Sequence, residues 1–189
     1  MALDVRRAKE ALRASGMSSS SLSGLRWPFG REKRLLSLLR ERRAVLEAKN
    51  HIVDYLFSAQ RAVGPLALAS VEGVQAALQD SEKRRVIVTV GANRAMLQEE
   101  LSARYGSELG RALDQALMEL EGEGVLLQVP GRMVSAHQNV FLAVFGRGRP
   151  QYEISELTRL LQQGQNQGAR LRQRARKEDA SGGSRTYRM

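Results

Sequence analysis

Apolar residues recur along the chain at two spacings, and the points where the spacing changes mark most of its elements. Between Arg31 and Ala62 there is no Pro or Gly, and Leu35, Leu38, Leu39, Leu46, Val53 and Leu56 fall along one face of a long helix. Arg42 and Lys49 interrupt that seam at its centre. At about 1.5 Å per residue such a helix is long for a small domain. It either packs across the domain or joins a second copy as a short two-stranded coiled coil through residues 31–62. Farther on, Leu109, Ala112, Leu113, Ala116, Leu117 and Leu120 cover one face of Glu108–Glu121 without a miss, the strongest amphipathic pattern in the chain. Val86-Ile87-Val88-Thr89-Val90 is a β-branched run ended by Gly91 and reads as a strand. Val125–Val129 and Val140–Phe145 read as two more, joined as a hairpin by the extended loop PGRMVSAHQN.

The remaining segments are shorter. Residues 3–14 carry a thin apolar stripe (Leu3, Val5, Ala8, Ala11, Leu12) and predict a short helix; Gly16 and the run Ser18–Ser21 then predict a flexible linker. Trp27-Pro28-Phe29 precedes the long helix and is a candidate anchor or partner-binding motif, and Gly64-Pro65 ends that helix. Residues 66–79 predict a helix weakened by Gly73, and 80–85 a charged connection. Asn93 is placed to cap a helix over 94–105, Gly106 to make a sharp joint, and Ser107 to cap the next helix. Ile154, Leu157, Leu160 and Leu161 predict a last helix over 153–163, and the Gln-, Gly-, Arg- and Ser-rich stretch from Gly164 onward predicts disorder.

Charge sharpens this picture. The 189 residues hold 30 Lys+Arg against 20 Asp+Glu, a net charge of +10. Residues 1–50 contribute +7 and 147–189 contribute +6, whereas 51–100 and 101–146 carry −1 and −2. Cationic ends around a faintly anionic middle point to nucleic acid, anionic lipid or an acidic protein surface. Of the cations 25 are Arg, the residue suited to bidentate phosphate contacts. With Cys 0 and His 2, disulfides and Cys- or His-rich metal sites are excluded. No apolar run approaches the roughly 18 residues of a membrane span. The N-terminal stretch is Arg- and Ser-rich like a mitochondrial presequence, but Asp4 and Glu10 count against that, and an intracellular location in cytoplasm, nucleoid or nucleus is expected.

Read in order, residues 66–145 give helix, strand, helix, helix, strand, loop, strand. Within them SELGRALDQALMELEGEGVLLQV takes an amphipathic helix through a Leu-x-x-acid-Gly turn into an apolar strand. In this order and passage the chain resembles the winged helix-turn-helix superfamily. The expected fold is mainly α with a small three-stranded antiparallel sheet, one apolar face of which is covered by helices. A winged-helix core at 66–146 would follow a long helix at 31–65, with a flexible basic arm at 1–30 and a basic helix and tail at 147–189.

In DNA-binding members of that superfamily the second helix of the pair enters the major groove, which here implies 108–121. Its outward residues should be Glu108, Arg111, Asp114, Gln115, Met118 and Glu119, an acidic set that repels phosphate. The loop adds Arg132, His137, Gln138 and Asn139, and the preceding helix Arg94 and Arg104. Phosphate attraction would therefore fall to Arg40, Arg42 and Arg43, to Lys83, Arg84 and Arg85, and to Arg170, Arg172, Arg174, Arg176 and Lys177. No nucleophile, acid–base pair, metal set or cofactor motif is visible; Gly122-x-Gly124 precedes a strand rather than a helix and is no phosphate loop. The sequence thus predicts a non-enzymatic nucleic-acid-binding protein, most simply a DNA-binding regulator or a replication or partition accessory factor. The alternative is a winged-helix protein-interaction subunit of a larger assembly, facing an acidic partner with its basic arms.

Overall fold

A computed structural model describes residues 3–23, 30–61, 70–134, 136–144 and 149–182. It is mainly helical with one three-stranded antiparallel sheet. In order the elements are α1 (Val5–Ala14), α2 (Ser19–Ser23), α3 (Arg31–Arg61), α4 (Val71–Gln79), α5 (Ser81–Val90), β1 (Ala92–Asn93), α6 (Arg94–Tyr105), α7 (Ser107–Gly122), β2 (Leu126–Val129), a 3-10 turn (Gly131–Met133), β3 (Val140–Ala143) and α8 (Ser155–Gly182). Two compact units divide the chain: Met1–Arg43 with Ile154–Met189, and Ala44–Glu153. The boundary falls inside α3, and the two terminal segments belong to a single unit. Trp27-Pro28-Phe29, Gly64-Pro65 and residues 66–69 lie outside the described residues.

In the first unit, the Asp4 carboxylate caps α1 by accepting from the Arg7 N–H at 3.0 Å. Leu3, Ala8, Leu12 and Leu22 are buried with Leu35 and Leu39 of α3 and Leu157, Leu160 and Leu161 of α8. The serine run is a helical turn and not a linker: Ser18 Oγ accepts from the Ser21 N–H at 3.3 Å and seats α2 so that Leu22 is inside. Arg7 pairs with Glu156 at 2.8 Å where α1 meets α8. The stretch from Gly164 onward, expected to be disordered, continues α8 to Gly182. Gln, Arg and Lys are good helix formers even where they bury nothing. Gly164 itself is buried, and a Cβ there would lie 2.4 Å from Leu36 Cδ2.

In the second unit the seam of α3 continues inward with Val45, Ile52, Val53, Leu56 and Phe57, packed on Leu97 and Leu101 of α6 and on Leu109, Leu113, Ala116, Leu117 and Leu120 of α7. Leu35, Leu39, Leu46, Val53 and Leu56 are buried within the single chain, and Leu38 is half-buried. β3 lies between β1 and β2, with Asn93 opposite Val140 and Val129 opposite Val140 on the other side. Alternate residues along a strand face opposite ways. Phe141 and Ala143 accordingly join the core under α3, α6 and α7, while Val140 and Leu142 join a second core formed by Val74, Ala77 and Leu78 of α4 and Ile87 and Val90 of α5. Both faces of the sheet are covered, not one.

The run Val86–Val90 is a helix, contrary to its β-branched composition. Asp80 caps α5 by accepting from the N–H groups of Glu82 (2.9 Å) and Lys83 (3.3 Å), so helical geometry starts ahead of the run. Those two bonds also hold the Asp80 carboxyl below its usual pKa. Ile87 and Val90, three residues apart, are buried, and Val86 is 37% exposed, a helical pattern that strand spacing would not give. The first strand is instead the pair Ala92-Asn93, just beyond. Gly106 makes the α6–α7 joint at φ +82°, as its position implied, and it occupies the cap position that the sequence assigned to Ser107.

Candidate nucleic-acid interface

The first unit holds 19 Lys and Arg against 7 Asp and Glu, net +12, and the second 11 against 13, net −2. The charge segregation read along the sequence therefore coincides with the division into folded units. Within the first unit Arg40 is exposed on α3, and Arg170, Arg172 and Arg176 are exposed along α8; Arg174 and Lys177 belong to the same helix. Arg42 was counted with these cations, but its side chain is buried, and Nε donates to the Ser15 carbonyl at 2.7 Å. It closes the C-terminal end of α1, where a cation meets an unpaired carbonyl, and is removed from any surface. Arg43 is half-buried. Arg159 is tied to Glu156 at 2.8 Å, and the Glu156 carboxyl is held below its usual pKa by hydrogen bonds from Arg159 first and Arg7 second.

Five cations of the second unit, Lys49, Lys83, Arg94, Arg104 and Arg149, pair with its own carboxylates. Arg94 grips Asp114 with two bonds of 2.6 and 2.8 Å, joining α6 to α7; the contact lowers the Asp114 pKa and raises that of Arg94. Arg104 pairs with Glu100 at 2.6 Å, and Lys83 lies 3.6 Å from Asp80. Arg84 Nε donates to the Leu78 carbonyl at 3.0 Å. Arg85 is exposed, as is Arg132 in the 3-10 turn, followed by His137, Gln138 and Asn139. On α7, Glu108, Arg111, Asp114, Gln115 and Met118 face solvent as expected, Met118 at 67% exposure. Glu119 turns partly inward.

That inward turn reveals a cluster that sequence reading missed. The Lys49 side chain is 1% exposed; its ammonium lies 3.3 Å from Glu119 and 2.5 Å from Glu123, and 3.9 Å from the centre of the Tyr152 ring. The Tyr152 hydroxyl donates to Glu123 at 2.5 Å, and Asn50 exchanges two 2.9 Å bonds with the Tyr152 backbone. Desolvation, reinforced by Glu123 and Glu119, pushes the Tyr152 hydroxyl well above its usual pKa. A lysine inside a mostly apolar seam was the available signal; its carboxylate partners lie 70 or more positions away. In the same unit a groove of about 500 Å³ opens between α3 and α6, where the His51 and Tyr105 rings stack with centroids 3.7 Å apart. Its trace in the sequence is His51, Tyr55 and Ser58 at helical spacing along α3.

Among the described residues no helix is long and apolar enough to cross a membrane. The chain matches no family model, no curated protein and no solved structure.

Proposed function

We propose that this chain is a nucleic-acid-binding protein in which the helical first unit supplies the phosphate attraction. The observation that carries this reading is the +12 charge of that unit, displayed in part by Arg40, Arg170, Arg172 and Arg176 at solvent-exposed helical positions. Cations fixed on a helix lose less freedom on meeting a phosphate lattice than cations on a coil. The second unit serves in this reading as a winged-helix-like module. Its support is the order of two helices, a short strand, two helices and two strands, the β1-β3-β2 arrangement, and the Gly106 joint.

A protein-directed role for α7 is the second reading, and the Arg94–Asp114 pair favours it. That pair removes a cation from the face a groove-reading helix would need, beside a Met118 exposed at 67%. Duplex affinity of two variants separates the roles. Arg170→Gln/Arg172→Gln/Arg176→Gln is expected to weaken binding strongly, and Arg111→Ala/Arg132→Ala only slightly. A dominant loss from the second variant would move recognition to α7 and overturn the assignment to the first unit.

A further inference from the structure

We infer that the groove between α3 and α6 is a subsite for a neutral heteroaromatic ring, a nucleobase out of its stack. The volume, about 500 Å³, is ample for such a ring. Its floor is apolar, with Ile52, Leu97 and Leu101 among its residues. The charged groups at its edge are cancelled in pairs: Glu100 with Arg104 at 2.6 Å, and Asp54 with Arg149. The neutral polar groups are not. The imidazole nitrogens of His51 and the hydroxyls of Tyr55, Ser58 and Tyr105 hydrogen-bond to no described residue. A site whose charges are quenched, whose neutral donors and acceptors stand open, and whose rings are already aligned selects a flat, uncharged ligand with a polar rim. A phosphate or a carboxylate finds no unpaired cation there.

The stacked pair gives the geometry. His51 and Tyr105 lie 21° from parallel, and Tyr105 remains 39% exposed, which leaves part of that residue open to an incoming base. Base–aromatic stacking tolerates any base because each has a π-face. This inference rests on the nucleic-acid reading for the delivery of a base, as part of a single strand; a free nucleoside carries the same ring without that reading.

The test uses the full chain. A labelled 12-nucleotide single strand and the same strand in duplex are titrated at matched salt, and adenosine at millimolar concentration is followed by the side-chain resonances of His51 and Tyr105. Single strand is expected to bind more tightly than duplex. Tyr105→Ala should lose roughly five- to a hundred-fold in single-strand affinity with duplex affinity unchanged, and Tyr105→Phe, which keeps the ring and gives up one hydroxyl, should lose far less. Ser58→Trp, at an exposed position on the groove, should block the single strand in the same way and guards against a Tyr105→Ala variant that fails to fold. Adenosine should shift both rings. Equal losses for single strand and duplex, or none, overturn the subsite while leaving phosphate binding intact. If no nucleic acid binds, the functional reading falls and adenosine alone decides: shifts at His51 and Tyr105 uphold the subsite, and their absence overturns it. Shifts caused by N-acetyltryptophanamide but not by adenosine would assign the groove to a protein side chain and overturn it as well.

Discussion

Lys49 and its two carboxylates are buried unequally, and the inequality fixes which substitution hurts. The lysine side chain is 1% exposed, against 21% for Glu119 and 43% for Glu123. Replacing Lys49 by Met keeps the buried stem and lets both carboxylates return to water. It forfeits the ion pairs and the contact with the Tyr152 ring, a loss of about 1–2 kcal/mol. The double change Glu119→Gln/Glu123→Gln instead leaves an ammonium in the core without a counter-charge. One-sided removal of a buried pair costs about 3–5 kcal/mol, because the remaining charge has lost water and keeps no counter-charge. Urea unfolding followed by far-UV circular dichroism measures both. The carboxylate variant should be the less stable by roughly 2 kcal/mol, the difference between those two costs. A Lys49→Met variant as damaged as the double variant, or more so, would refute the reasoning: the cluster would then owe its stability to the lysine's packing and not to charge compensation.

Two further predictions follow from the same unit. The raised pKa of Tyr152 means that the folded chain keeps a proton the unfolded chain releases above pH about 10. This contribution is therefore complete below that pH and lost as pH rises further. Urea midpoints from pH 8 to 11 should fall more steeply for the wild type than for Tyr152→Phe, and parallel curves would contradict the assignment. At Gly131, a Cβ would lie 2.5 Å from the carbonyl oxygens of both Ala136 and Gln138. Gly131→Ala should cost about 1–3 kcal/mol by overpacking, whereas Gly122→Ala, with nothing within 4 Å, should be neutral or gain up to about 1 kcal/mol; thermal melts of both compare them.

The long helix, the α6–α7 pair and the β2–β3 hairpin were legible in the sequence because their apolar spacing and their tertiary burial agree. The leucines that define the face of α7 are the ones packed on α3. Val86–Val90 was misread because strand propensity expresses fit to a half-buried surface. Here the Asp80 cap and the burial of Ile87 and Val90 decide for helix. The real first strand, two residues long, is too short for any period to register. The C-terminal stretch was misjudged on composition: few apolar residues beyond Leu161 suggested a coil, but one buried turn against Leu36 is enough to start good helix formers on a regular path. Among the candidate cations, the sequence could show abundance but not allocation. Arg42 serves the end of α1 and Arg94 serves Asp114, partners 27 and 20 positions distant.

The salt dependence of duplex affinity tests the central claim most directly. If the first unit's helical arginines face phosphates, log K against log[salt] should be steep for the wild type. It should flatten by roughly 2.7 in the Arg170→Gln/Arg172→Gln/Arg176→Gln variant, about 0.9 for each lost contact. An unchanged slope in that variant, or no duplex binding even at low salt, would contradict the account.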